Sequence, residues 1–304
     1  MSPEGQPDPL NDAALAVRLF LIAPGLFGGM VLRGASPARD ALVSALNDAM
    51  TSAGAPVRRL PGHVDDERLL GGVDIAASLA SGTAVQQRGL LEECAGGAVV
   101  VPMAERAEPA IAGRLAQHSD ENDNGPALIM LDDGREGDDA PPTSLLERCA
   151  FHADLTASRE YEVGPLDTTN AAVDAVAPLT AAALKALAAT ADALGVASLR
   201  PLIFAGHAAR AHAALEGRKA AEEADLAAAA RLVLAPRATQ LPPMEEPPDE
   251  PPPPPETPPD PGEEPEDTQQ PNPDAPLEEM LVEAAKAAIP ADLLAALAEG
   301  KAPK

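Results

Sequence analysis

The spacing of apolar residues changes period several times along the chain. In residues 13–22 and 38–50 apolar side chains recur every three or four positions, and Leu42, Val43, Leu46 and Met50 share one stripe. Both patterns predict helices with one buried face. Residues 28–33 read as a short strand running into a turn, and 57–60 as another. The β-branched run AVVVPM (98–103) predicts a buried strand, and strands are also expected at 127–131 (ALIML) and 150–155. Short helical patterns at 89–94, 108–116 and 144–149 are interleaved with them. Beyond Asp174 the strand signal stops, and helical stretches follow at 179–194, 197–215 and 220–234. The fold class expected is α/β: a parallel sheet with helices on both faces, followed by an all-helical unit. That order suits a nucleotide-binding core with a lid. The predicted division is a core over 1–165 and a lid over 166–239.

Proline ends this pattern. Sixteen of the 34 prolines lie between Pro242 and Pro276, together with eleven acidic residues and no Lys or Arg. Proline fixes φ and removes an N–H donor, and like charges repel along the segment, so little apolar surface offsets the ordering entropy. Residues 240–276 are therefore expected to be a disordered, acidic, proline-rich linker. Residues 277–304 hold two short helical patterns separated at Ile289 and Pro290, the first with Leu277, Met280, Leu281 and Ala284 at helical spacing. Such a pair cannot build a core alone. It is expected to lead into a further domain or to dock on something outside the chain.

Composition narrows the function classes. Hydrophobic residues make up 45% of the chain but aromatics only 2%, so the core must be built from Ala, Leu and Val. With 22 Lys and Arg against 48 Asp and Glu, the net charge of -26 argues against a nucleic-acid or anionic-membrane partner. No apolar stretch approaches the roughly 20 residues of a membrane span, and no secretory pattern is visible at residues 1–12. Cys94 and Cys149 lack the spacing of a zinc site or a disulfide framework and fit a reducing cytoplasm. His207 and His212 lie five apart, not at the i,i+4 spacing of a helical metal pair, and no metal site is expected. Asp65, Asp66 and Glu67 read as a solvated face or a helix start, and SDENDN (119–124) and DDGREGDD (132–139) as acidic loops.

Three strings are more specific. DDERLLGGVD (65–74) is followed by QQRGLLEECAGGAVVV (86–101); then come LLERCAFH (145–152) and SLRPLIFAGHAARAHAALEG (198–217). In this order, from about residue 13 to 238, the chain resembles the AAA+ module of magnesium chelatase. The acidic proline linker is similar to that of the D-type subunit rather than the ATP-hydrolysing I-type subunit. The resemblance implies an integrin-I-like domain beyond the linker, and no pattern for one occurs in these 304 residues.

A phosphate-binding loop, GxxxxGK[ST], needs consecutive N–H groups, a Lys and a hydroxyl on Mg2+. At the matching place the chain reads LRGASPARDALV (32–43), with Arg39 in the lysine place and Asp40 in the hydroxyl place. Arg33, Ser36 and Ala38 stand where loop glycines belong, and Pro37 has no N–H to give. Gly34, Ser36, Arg39 and Asp40 remain as the residues of a degenerate nucleotide loop. The strand expected to end in an acidic pair ends instead in Pro102 and Met103, leaving Glu105 as the nearest carboxylate. The stretch between residues 115 and 127 is also too short for the hairpin that the I-type pattern inserts there.

The resemblance further implies that Arg148, in LLERC, matches the arginine finger offered to a neighbouring subunit, and that Arg200, in SLRP, matches the lid sensor arginine. The altered loop and the missing acidic pair make an ATPase-inactive platform the expected function, and the resemblance implies that it assembles with the I-type ATPase in a hetero-oligomeric ring and works with the porphyrin-binding H-type subunit. ATP and Mg2+ would then act at the level of the complex, bound mainly by the partner. The residues leave two alternatives: an active ATPase with an unorthodox loop, and an AAA+-shaped interaction scaffold unrelated to chelation.

Overall fold

The computed structural model describes residues 8–122, 124–135, 139–241, 277–287 and 289. Five strands form one parallel sheet: β1 (Gly29–Arg33), β2 (Val57–Arg59), β5 (Ala98–Val101), β6 (Ala127–Asp132) and β7 (Phe151–Asp154), in the order β2-β5-β6-β1-β7. Strands β3 (Gly71–Asp74) and β4 (Val85–Arg88) pair antiparallel in a separate hairpin. The central strands are apolar up to their last residues, Arg33 of β1 and Asp132 of β6, because both faces of the sheet are covered. Met30, Leu32, Val100, Ile129 and Leu131 pack into one cluster, and Val31, Val99, Val101, Leu128 and Met130 into the other.

The first face is covered by α1 (Pro9–Ile22) and α3 (Pro37–Ser52), and its cluster continues without a break into the lid. The four-residue α2 (Pro24–Phe27) leads into β1 and places Phe27 against Phe151, ring centroids 4.9 Å apart. The second face is covered by side chains of α4 (Asp66–Leu70), α6 (Leu90–Glu93), α7 (Pro109–Glu121) and α8 (Thr143–Leu146), and α5 (Ile75–Ser81) joins the two hairpin strands. The lid consists of α9 (Ala181–Ala193), α10 (Leu199–Leu215) and α11 (Glu223–Ala229). Alanine dominates its interior: Ala205, Ala208, Ala209, Ala211 and Ala213 of α10 are buried, which lets the helices approach closely without aromatic filler.

Several expectations are corrected. The last lid helix is not continuous over 220–234: after α11 the chain widens into a π-helical turn, Ala230–Leu234, just before Pro236 removes a donor from the ladder. Ser119, Asp120 and Glu121 are the final turn of α7, not a loop, and Asp132 is the buried end of β6. The helix at 144–149 is only the single turn α8. The β3–α5–β4 hairpin carries too few buried positions to be seen in the pattern. Asp65, by contrast, caps α4 by accepting from Arg68 N at 2.7 Å, the helix start read from the sequence.

The expected linker also begins later than residue 240. Thr239 N donates to the Leu194 carbonyl at 2.8 Å and Gln240 Nε2 to that of Asp192 at 3.1 Å, so both residues belong to the lid. Residues 242–276 and the second helical pattern, from Pro290 on, lie outside the described residues. The first pattern forms α12 (Leu277–Ala287), and it docks on this chain: Leu281, Ala285 and Ile289 are buried in the core cluster that runs into the lid.

Candidate functional site

In an open parallel sheet, ligands bind outside the carboxyl ends of the strands, where the strand order reverses. Here that point lies between β1 and β6, and the degenerate loop sits there. Only Gly34, Ala35 and Ser36 separate β1 from α3. Gly34 has φ +92° and lies so close to the segment after β7 that a Cβ would come 2.8 Å from Thr156 N, so glycine is required for chain crossing. Its N–H goes to the Asp132 carbonyl at 3.0 Å. The Ser36 hydroxyl caps α3 by accepting from Arg39 N at 3.3 Å, with Pro37 in the first turn. Asp40 is exposed in that same turn.

Arg39 is buried and turned onto the chain's own acids. Its Nη1 donates to the Asp132 carbonyl at 3.1 Å and to Asp133 Oδ1 at 2.6 Å, while its Nε is buried without a partner. Arg33 Nη1 lies 3.5 Å from Asp132 Oδ2. Burial pushes the Asp132 carboxyl up from the usual carboxylate range, with Glu105 and Asp133 adding to it and Arg33 and the Gly134 N–H opposing. Glu105 is itself nearly buried, accepting from Asp133 N at 3.0 Å and pairing with Arg106 at 3.4 Å. Met103 stands at the strand end with φ +47°. A triphosphate here would meet Asp132, Asp133 and Glu105, and a loop in which the Gly34 and Arg39 N–H groups are engaged and Pro37 has none. The residues present do not fit one.

Arg148 and Arg200 belong to the other end of the sheet. Arg148 precedes β7, and its neighbour Ala150 donates to the carbonyls of Phe27 and Gly29 at the start of β1. The length of β1, about 16 Å at 3.3 Å per residue, separates this end from the loop. The two arginines meet on one carboxylate, Asp120. Arg148 Nε lies 3.1 Å from Asp120 Oδ1 and Arg200 Nη1 3.2 Å from the same oxygen, while Arg148 Nη2 takes Oδ2. Arg148 is held further by the Ala116 carbonyl at 3.0 Å and the Ser144 carbonyl at 2.5 Å. Beside them the Ser198 hydroxyl, at the start of α10, donates to Glu147 Oε2 at 2.8 Å. The Arg148 guanidinium first, and Arg200 with it, hold the Asp120 carboxyl below its ordinary value.

The pattern of residues did not reveal Asp120 as the partner of Arg148 and Arg200, Asp133 as that of Arg39, or Glu147 as that of Ser198. Asp120 and Asp133 were hidden in polar strings, and nothing local to a polar string says which carboxylate meets a distant arginine. Two further polar clusters tie the lid together. Asp225 is fully buried and takes His212 Nδ1 at 2.6 Å, Glu222 N at 2.7 Å and the Arg218 guanidinium. Arg237 lies among carbonyls, bonding those of Ala150 at 2.9 Å and Val233 at 2.6 Å and also His152 Nε2 at 2.9 Å; burial brings its pKa down to about 10. Among the described residues no group of His, Cys, Asp or Glu could hold a metal ion, and no helix is long and apolar enough to cross a membrane. Both cysteines are buried and unpaired.

Sheet order, lid and loop position together define an AAA+ module. Residues 184–257 match the AAA lid domain family. A solved structure of a candidate ATPase from Cytophaga hutchinsonii superposes with a TM-score of 0.53 over 75% of this chain and 82% of its own, at 13% identity, which supports the fold alone. The magnesium-chelatase 60 kDa subunit of Cereibacter sphaeroides is 42% identical over 97% of this chain and 52% of its own length. That of Rhodobacter capsulatus is 36% identical over 71% of this chain and 38% of its own. The chain belongs to the family of D-type magnesium-chelatase subunits. It spans about half the length of the curated relatives it matches.

Proposed function

We propose that the chain is an ATPase-inactive AAA+ platform of magnesium chelatase. It assembles with the I-type ATPase in a hetero-oligomeric ring and, with the porphyrin-binding H-type subunit, supports ATP-dependent insertion of Mg2+ into protoporphyrin IX in the cytoplasm. ATP and its Mg2+ are bound mainly by the I-type partner, and the Mg2+ that is inserted is substrate, not a resident ion. The observation that carries this reading is the separation of the two halves of a nucleotide site. The loop at the carboxyl end is filled by Arg39, Asp133 and Glu105, whereas Arg148 and Arg200 stand a strand's length away at the amino end. Arginines so far from their own loop would serve a nucleotide held by a neighbour. Such groups in other NTPases are worth about 10³–10⁵ in rate.

The test mixes the chain, wild type or Arg148→Ala, with an I-type partner and measures ATP turnover and chelation. The expected result is a partner rate raised by the wild type and not by Arg148→Ala, with no turnover by the chain alone. A partner indifferent to Arg148 would favour the scaffold reading. Mg2+-dependent turnover by the isolated chain, abolished by Arg39→Ala, would favour the unorthodox ATPase.

A further inference from the structure

Asp120 is an unfavourable residue for its position. It lies in the last turn of α7, where the helix dipole disfavours negative charge, and Glu121 follows it. Local helix stability therefore does not explain it. What it does make is a fork: one oxygen shared by Arg148 and Arg200, the other on Arg148. Two non-bridging phosphate oxygens would accept from the same pair of guanidinium groups in the same manner.

The surroundings are arranged for exchange. Arg148 is also held by the Ala116 and Ser144 carbonyls, bonds that do not involve Asp120, so half of the seat is pre-organised. The Arg200 guanidinium is 41% exposed and bonds, among the described residues, to Asp120 alone. Ser198, the N-cap of α10 two residues before Arg200, donates to Glu147, the residue before Arg148. Exposed Leu199 and Ile203 flank Arg200 and give the surface an apolar margin. Asp120 offsets one of the two arginine charges in the free chain.

We infer that Arg148, Arg200 and Asp120 form a polyphosphate seat carrying its own counter-anion, in which Asp120 holds the arginines until a nucleotide's phosphates displace it. The inference deepens the reading above and rests on it for the identity of the anion as a neighbouring subunit's nucleoside triphosphate. Asp120 is thus a positioning residue. It keeps the pair poised and keeps the unassembled chain from capturing free polyphosphate.

The experiment titrates tripolyphosphate into the isolated chain at fixed low ionic strength. Asp120→Asn preserves shape and removes the charge; Glu121→Gln removes the same charge one residue away, where Gln117 and not an arginine is the partner. Asp120→Asn should tighten binding about fivefold, the effect of one unit charge at contact distance screened by bulk water. Glu121→Gln should change it less than about twofold, and adding Arg200→Gln or Arg148→Gln to Asp120→Asn should cancel the gain. Equal gains from Asp120→Asn and Glu121→Gln, or a gain that survives loss of both arginines, would overturn the seat. Asp120→Ser, checked alongside by circular dichroism, must reproduce the gain in a folded chain; its failure to do so counts against the seat. These titrations contain no partner. A partner ATPase indifferent to Arg148→Ala would remove the functional reading and leave the seat to be judged by tripolyphosphate alone.

Discussion

Arg39 Nη1 lies 2.6 Å from Asp133 Oδ1, so the residue in the lysine place is spent on a carboxylate of its own chain. Its side chain is 8% exposed and Asp133 is 37% exposed, which makes the pair one-sided: the guanidinium needs the carboxylate more than the reverse. Arg39→Met should therefore cost about 1.5–3 kcal/mol of stability, the range for hydrogen bonds to charged groups, through loss of the pair and of the bond to the Asp132 carbonyl. Arg39→Lys should restore no ATP turnover. Chemical denaturation and a phosphate-release assay read the two effects, and nucleotide hydrolysis by the lysine variant would count against a seat sealed by its own acids.

Asp225 concentrates the polar energy of the lid. Burial pushes its carboxyl up, but bonds from Arg218, the Glu222 N–H and His212 outweigh this and hold it below the ordinary carboxylate value. A carboxylate lowered in the folded state contributes stability that is full above its unfolded pKa of 3.8 and lost as pH falls through the lower folded value. Asp225→Ala should cost about 3–5 kcal/mol at pH 7, because it leaves the Arg218 and His212 side chains without their shared partner. Melting temperature measured against pH checks both. A variant that melts with the wild type at pH 7 would mean that the cluster is decoration.

Much of the sheet was legible because its chemistry is local. Val99, Val100 and Val101 are β-branched and buried on both faces, so the run betrays the strand; Leu42, Leu46 and Met50 betray a helix by spacing. The hairpin was not legible: GGVD and VQQR carry one valine each, and Ile75 and Leu79, which would mark a buried helix, are exposed. The positions of Arg148 and Arg200 were readable from their strings, yet their meeting was not. It depends on α7 continuing through Ser119 and Asp120, where the Ser119 hydroxyl bonds the Leu115 carbonyl and stays within the helix instead of breaking it. That residues 277–287 pack on this chain's own lid was not legible for a similar reason. The spacing of Leu277, Leu281 and Ala285 defines an apolar face and says nothing of what covers it.

His152 gives a pH signature of opposite origin to a salt bridge. Burial, and then the charge of Arg237, hold its protonation well below the ordinary imidazole value, so the folded chain keeps it neutral while the unfolded chain takes a proton near pH 6.5. Where the unfolded state binds more protons, stability falls as pH falls. His118 and His207 are shifted downward by burial as well and act in the same direction. The urea midpoint should hold above about pH 7 and decline below 6.5, by up to about 1.4 kcal/mol per pH unit for each histidine kept neutral. His152→Gln should flatten the decline in part. A midpoint constant from pH 7.5 to 5.5 would contradict the burial of these rings.

α12 returns to the lid after the acidic proline stretch. Leu241 and Leu277, the described residues on either side of it, both pack against the same core cluster. Leu281 is fully buried in the surface shared by α12, α9 and the π-helical turn. Leu281→Ala should cost about 2–5 kcal/mol if the helix stays seated, and release of the helix sets the ceiling on that loss. Leu281→Asp forces release, since an unpaired carboxylate in an apolar groove costs more than undocking. Hydrogen exchange then separates α12 from the remainder: in Leu281→Asp the amides of α9 and of Ala230–Leu234 should exchange faster, while those of β1 and β6 keep their protection. Unchanged exchange across α9 would mean that α12 contributes nothing to the lid.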